Sequence, residues 1–159
     1  ANASPDYAAA TERLAAFWTA LGSKVERMDA QRHDLVLAVT SHLPHLIAYN
    51  IVATAHDMEN VTDGEVVKFS AAGFRDFTRI AASDPTMWRD VFLNNKEAVL
   101  EVLGRFEEDL TDLRKAIRNA DGQKLFDTFT ESRRIRREII DAGQDTSAAN
   151  FGRDTSKKP

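Results

Sequence analysis

Gln31-Arg-His-Asp-Leu-Val-Leu-Ala-Val-Thr-Ser-His-Leu-Pro-His-Leu-Ile-Ala-Tyr-Asn-Ile-Val52 is the stretch on which the fold turns. Leu35, Val36, Val39, Leu43, Leu46, Ile47, Ile51 and Val52 recur at helical spacing, and their apolar surface is broad enough for a helix in the middle of a bundle. Pro44 interrupts the run. A proline inside a helix removes one backbone hydrogen bond and clashes with the preceding turn, at about 3 kcal/mol, so the sequence predicts a kink that packing or function must compensate. His42 and His45 flank the proline one turn apart and share a face. On residue types alone, two hydrogen-bonded core histidines come first; a ligand pocket is the functional alternative, and a metal site would need further ligands brought in by folding.

Upstream, Leu14, Phe17, Trp18 and Leu21 mark a short helix that Gly22 stops. Ser23 to Met28 then reads as a strand, with no second strand downstream to pair with. The expectation is that residues 1–30 are the last helix and edge strand of an α/β domain, the rest of which precedes Ala1. Residues 31–145 form an all-helical domain and residues 146–159 a polar, irregular tail.

Downstream of the polar break at 60–65, a second helix is predicted from about Val66 to Ala82, with Phe69, Phe77 and Ile80 inward. Ser83-Asp84-Pro85 ends it and starts the next, with Asp84 as N-cap and Pro85 at the first helical position. Val99, Val102, Phe106, Leu110, Leu113 and Ile117 follow at intervals of three and four, the seam of a helix lying along another helix. Unbroken from Pro85 to Arg118, it would extend about 50 Å, more than a small domain is wide, and should protrude or meet a partner subunit. A last helix from about Gln123 to Ala142 carries Leu125, Phe126, Phe129, Ile135 and Ile139, and Gly143 ends it.

The 159 residues, 43% hydrophobic and 29% charged, allow one domain with a core. A net charge of −4 argues against a general nucleic-acid surface. No apolar run of membrane-spanning length is free of charge, so no membrane partner is expected. The chain has no cysteine, which removes disulfides, thiolate catalysis and cysteine-based metal sites, and the cytoplasm is the default location. Seven glycines stand singly, so neither a GxGxxG turn nor a P-loop exists here, and independent catalysis by this chain is not expected.

Arg75 and Arg79 lie four apart in the predicted second helix. A guanidinium keeps its charge and donates two parallel hydrogen bonds to a carboxylate or phosphate, so a converging pair makes an anion site. Gly73 would let a ligand approach the backbone. The competing reading is a solvated face with Asp76 paired to Arg79. Similarly, Trp88 reads first as a core anchor. Arg133, Arg134, Arg136 and Arg137, flanked by Glu131 and Glu138, read as a solvated or subunit-pairing face.

His33-Asp34, Ser41-His42-Leu43-Pro44-His45 and the block from Gly73 through Arg79, Pro85 and Trp88 to Leu93, in this order, resemble the prephenate/arogenate dehydrogenases over about residues 5–145. The ending Gln144-Asp145-Thr146 resembles the cyclohexadienyl dehydrogenases within that family. The resemblance implies a helical dimerisation domain of the prephenate dehydrogenase type behind a nucleotide domain that binds NAD or NADP and carries the catalytic histidine. It implies oxidative decarboxylation of prephenate to 4-hydroxyphenylpyruvate, or of arogenate to tyrosine, by a homodimer. By motif, Arg79 matches the arginine that holds a substrate carboxylate, and His45 resembles a residue lining the same pocket. His42 matches a position fixing the kinked helix or the pocket wall, and Arg75 and Trp88 match positions near the substrate at the subunit junction. Ala72 stands where the family carries a glycine before Gly73. The alternative from another class is a stand-alone helical module that binds an aromatic acid or amino acid and dimerises without chemistry.

Overall fold

A computed structural model describes residues 5–59, 65 and 69–143. Among these residues every regular element is helical: α1 (Pro5–Ala20), α2 (Ala30–Leu37), a π-helical turn (Ala38–His42), α3 (Leu43–Glu59), α4 (Ala72–Thr78), a 3₁₀ turn (Arg79–Ala82), α5 (Pro85–Asn94), α6 (Lys96–Arg118) and α7 (Gly122–Asp141). The chain divides by compactness between Val102 and Leu103, inside α6, so that helix runs from the first unit into the second. The polar tail 146–159, the break at 60–64 and Val66–Lys68 lie outside the described residues.

Three expectations are corrected. Ser23–Met28 forms no strand, because a strand needs a hydrogen-bonded neighbour and none is present among the described residues. Arg27 instead reaches back to α1 and grips both carboxylate oxygens of Glu12, at 2.5 and 2.8 Å. The second helix is not continuous to Ala82: Val66–Lys68 lie outside the described residues, Ser70 and Ala71 are non-helical, the α-helix Ala72–Thr78 gives way to a 3₁₀ turn, and Phe69 and Phe77 face solvent while Phe74 and Thr78 are half-buried. The long helix is broken at Asn95, whose φ of −109° and ψ of 32° leave the helical region. Backbone bonds Asn95 N to Val91 O and Val99 N to Asn95 O, both 3.0 Å, carry the chain across that break.

Pro44 acts as anticipated, with a specific geometry. The ladder widens over the turn before it, and Leu43 donates its N–H to the carbonyl of Ala38, five residues back. This π turn absorbs the missing proline donor without ending the helix. By length and composition the run Ala30–Met58 is apolar enough to cross a bilayer. It nevertheless carries buried His42, and its Ala38 joins Val99 and Val102 in the core of the first unit, with Leu43, Phe92 and Ala98 packed around them.

Helix ends follow their sequence punctuation. Asp84 Oδ1 accepts from the N–H of Met87 at 2.8 Å, with Pro85 in the first turn, and Asp121 Oδ1 accepts from Lys124 N at 3.0 Å. Gly22, at φ 86°, closes α1 with paired bonds Ser23 N to Trp18 O and Gly22 N to Thr19 O. The same motif closes α6, yet its left-handed position is filled by Ala120 at φ 53°.

The second unit leaves its apolar stripe uncovered. Val99 and Val102 of the seam are buried in the first unit, whereas Leu110 is 48% and Ile117 66% exposed. On α7, Phe126, Phe129, Ile135 and Ile139 are likewise exposed. Arg134, on the same helix, pairs with Glu131 at 2.6 Å and with Glu138, a solvated charge ladder as the flanking acids predicted.

Candidate site at the kinked helix

The π turn places His42 and His45 against α5. The His45 ring stacks on the Trp88 indole with centroids 3.6 Å apart and planes 23° from parallel. His42 meets Trp88 and Phe92 edge-on, at 6.1 and 6.5 Å, and Trp88 lies 5.6 Å from Phe92. The four rings form a wall built from both sides of the proline and from two turns of α5.

Hydrogen bonds fix the proton positions on both imidazoles. His45 Nδ1 lies 2.8 Å from the carbonyl oxygen of Ser41, which can only accept, so Nδ1 carries the proton and Nε2 of the neutral ring is an acceptor. For His42 the partner is the side-chain amide of Asn95. Asn95 Nδ2 donates to the carbonyl of Asp34 at 2.8 Å and approaches His42 Nδ1 at 3.1 Å. Since the same nitrogen donates to a carbonyl, it is the amide NH₂, and His42 Nδ1 is the acceptor. The neutral form is favoured further by burial, which pushes the His42 pKa down, with His33 and His45 adding in the same direction against Asp34.

Trp88 is buried and its Nε1 has no hydrogen-bond partner, so the indole acts here as an apolar plate with an unused donor. Its burial fits the reading of Trp88 as a core anchor.

Arg75 lies on α4 and Arg79 opens the 3₁₀ turn. Thr78, with ψ of −4°, tightens the backbone between them, so Arg79 is rotated from the position an uninterrupted α-helix would give it. Both side chains are exposed, and neither has an ion-pair partner among the described residues. α3 packs against α4 and the 3₁₀ turn. Tyr49, one turn beyond His45, donates its hydroxyl to the Ser83 carbonyl at 2.8 Å and so ties the histidine helix to the segment that follows Arg79. Gly73 is exposed, and a Cβ there would meet nothing within 4 Å, so the glycine is not required by packing within this chain. Among the described residues no three of His, Asp and Glu are grouped to hold a metal ion.

Two contributors escaped the sequence reading. Asn95 looked like an ordinary position in a long helix; the doublet Asn94-Asn95, a weak helix former repeated mid-helix, was the available signal. Tyr49 carried none, since its partner is 34 residues away.

Residues 29–131 match the family described as prephenate dehydrogenase, dimerization domain. A cyclohexadienyl dehydrogenase of Zymomonas mobilis is 43% identical over 123 residues, 77% of this chain and 42% of that protein. A prephenate dehydrogenase of Bacillus subtilis is 35% identical over 127 residues, 80% of this chain and 34% of that protein. The chain thus spans less than half the length of these relatives. The crystal structure of prephenate dehydrogenase from A. aeolicus in complex with hydroxyphenyl propionate and NAD+ superposes with a TM-score of 0.76 at 39% identity, over 81% of this chain and 45% of that one. Synechocystis arogenate dehydrogenase shares the fold, with a TM-score of 0.74 at 21% identity over 86% of this chain and 49% of that one.

Proposed function

The chain belongs to the family of the prephenate dehydrogenase dimerization domain, and from that premise we propose that it is the substrate-binding and dimerisation part of a cytoplasmic, nicotinamide-dependent dehydrogenase acting on prephenate or arogenate. The observation that carries the proposal is the aromatic and imidazole wall of His45, Trp88 and His42, tied through Tyr49 and Ser83 to the segment bearing Arg79. Flat rings suit a cyclohexadienyl ring that becomes aromatic, and a guanidinium with no carboxylate partner among the described residues suits an anionic substrate.

Arg79 holds a substrate carboxylate in this reading, Arg75 adds positive charge beside it, and Gly73 leaves the backbone approachable. His45 and Trp88 orient the ring, and His42 braces them. The nicotinamide, NAD or NADP, takes the hydride from the ring carbinol carbon and is bound mainly by residues outside this chain, as is the histidine that takes the hydroxyl proton. Residues 1–30 are the end of that nucleotide-binding domain: α1 presents Leu14, Phe17 and Trp18 to solvent, Leu21 just beyond it is exposed too, and Ser23–Met28 has no regular structure and no partner strand among the described residues. Residues 31–145 are the helical domain. The uncovered faces of α6 and α7 are the surface of a homodimer, with no nucleic acid or membrane involved.

The deciding experiment is to express the complete reading frame that contains these residues and follow reduction of NAD+ and NADP+ with prephenate and with arogenate. Turnover with either acid supports the reading. A folded protein that reduces neither nucleotide with either acid overturns it, and the helical ligand-binding module takes its place.

A further inference from the structure

Asn95 uses both amide protons at once, one on a backbone carbonyl of α2 and one on a ring nitrogen of the π turn, 61 and 53 residues away in sequence. It also sits at the break between α5 and α6, where the backbone leaves helical geometry. Trp88 and Phe92, which meet the His42 ring edge-on, lie within the two turns before that break.

We propose that Asn95 is a positioning residue for the site: it holds His42 as the neutral tautomer protonated on Nε2 and locks the π turn to the start of α6, so that His42 offers its ring as a hydrogen-bond donor only. The description of the wall as a substrate pocket rests on the function proposed above; the tautomer does not. A carbonyl at Asp34 cannot donate, so Asn95 cannot flip to present its oxygen to His42 without losing that bond. The charged or titratable groups acting on His42 are His33 and His45, which oppose its protonation, and Asp34, which favours it. None of them touches Nδ1, which Asn95 occupies.

The test uses the 159-residue chain with ¹⁵N-labelled histidine and needs no substrate. The expected spectrum above neutral pH shows His42 Nε2 protonated and Nδ1 bare. Asn95→Asp keeps the side-chain shape but turns the donor into a charged acceptor; His42 should then take a proton on Nδ1 and titrate at higher pH, while Asn95→Ala should release the ring to a mixture of tautomers. A proton on Nδ1 in the unsubstituted chain overturns the proposal, whether or not either variant folds. So does an unchanged His42 titration in Asn95→Asp with helical circular dichroism preserved. In the complete protein, Asn95→Asp should raise KM more than it lowers kcat and shift the pH dependence of kcat/KM, which a merely supportive residue would leave in place. Loss of catalysis altogether would bear on the proposed function and leave the ring-nitrogen result standing.

Discussion

His45 and Trp88 lie ring on ring, 3.6 Å apart, although one follows a helix-breaking proline and the other follows a helix-starting proline 41 positions later in the numbering. Trp88 is 7% exposed and its Nε1 has no partner, so its role in the first unit is packing. Trp88→Ala should cost about 3–5 kcal/mol through the cavity it leaves. Trp88→Phe should cost clearly less, because no hydrogen bond is lost. Urea unfolding followed by circular dichroism measures both, and equal losses would show that the indole donor is in use.

Arg79→Ala in the complete protein should raise KM for the acid substrate and leave nicotinamide affinity nearly unchanged. A hydrogen bond to a charged group contributes about 1.5–3 kcal/mol, which corresponds to roughly ten- to hundredfold in binding. Steady-state kinetics with each substrate varied in turn separates the two affinities. An unchanged KM would take Arg79 out of the site.

Stability should fall on mild acidification through His42. Its pKa is depressed in the folded chain, chiefly by burial, so the folded state binds fewer protons than the unfolded one once the pH drops below the ordinary histidine value of about 6.5. Stability is therefore unaffected by this group above that pH, declines as the pH falls, and levels off below the depressed folded-state value. Melting temperatures of the chain and of His42→Asn across pH 5 to 8 isolate the effect; parallel curves would show that His42 does not supply it.

Ala120→Gly should stabilise the second unit. A non-glycine residue in the left-handed region costs about 1–2 kcal/mol, and glycine returns about 0.4–1 kcal/mol of that through the greater freedom of the unfolded chain. The net gain is expected below about 1.5 kcal/mol, read as a higher denaturation midpoint. A loss would mean the turn holds Ala120 for packing.

Charging the uncovered seam should break the proposed homodimer. Leu110→Glu combined with Ile117→Glu places two carboxylates on a face already open to solvent in a single chain, so the fold of one chain should survive while association fails. Light scattering at micromolar concentration measures the mass. A dimer that persists would assign the interface to α7 or elsewhere.

Helix periods and the stops at Gly22, Asp84-Pro85 and Gly143 were readable along the chain, because capping and φ preferences act over four or five residues. The kink at Pro44 belongs with them, since a missing N–H is a local fact. The form of that kink, a π turn, depended on what received the widened helix. The break at Asn95 left only the weak signal of the Asn94-Asn95 doublet, because the groups its side chain bonds, the Asp34 carbonyl and the His42 ring, sit more than fifty residues away. Likewise the strand pattern at Ser23–Met28 described a preference that only a neighbouring strand could realise. Local chemistry thus dictated where helices form and end and, through the Ser41 carbonyl, which nitrogen of His45 holds a proton, whereas the long-range contacts of Asn95, Trp88 and Tyr49 decided how the ring wall assembles and which nitrogen of His42 holds one. No short window of sequence contains both partners of those bonds.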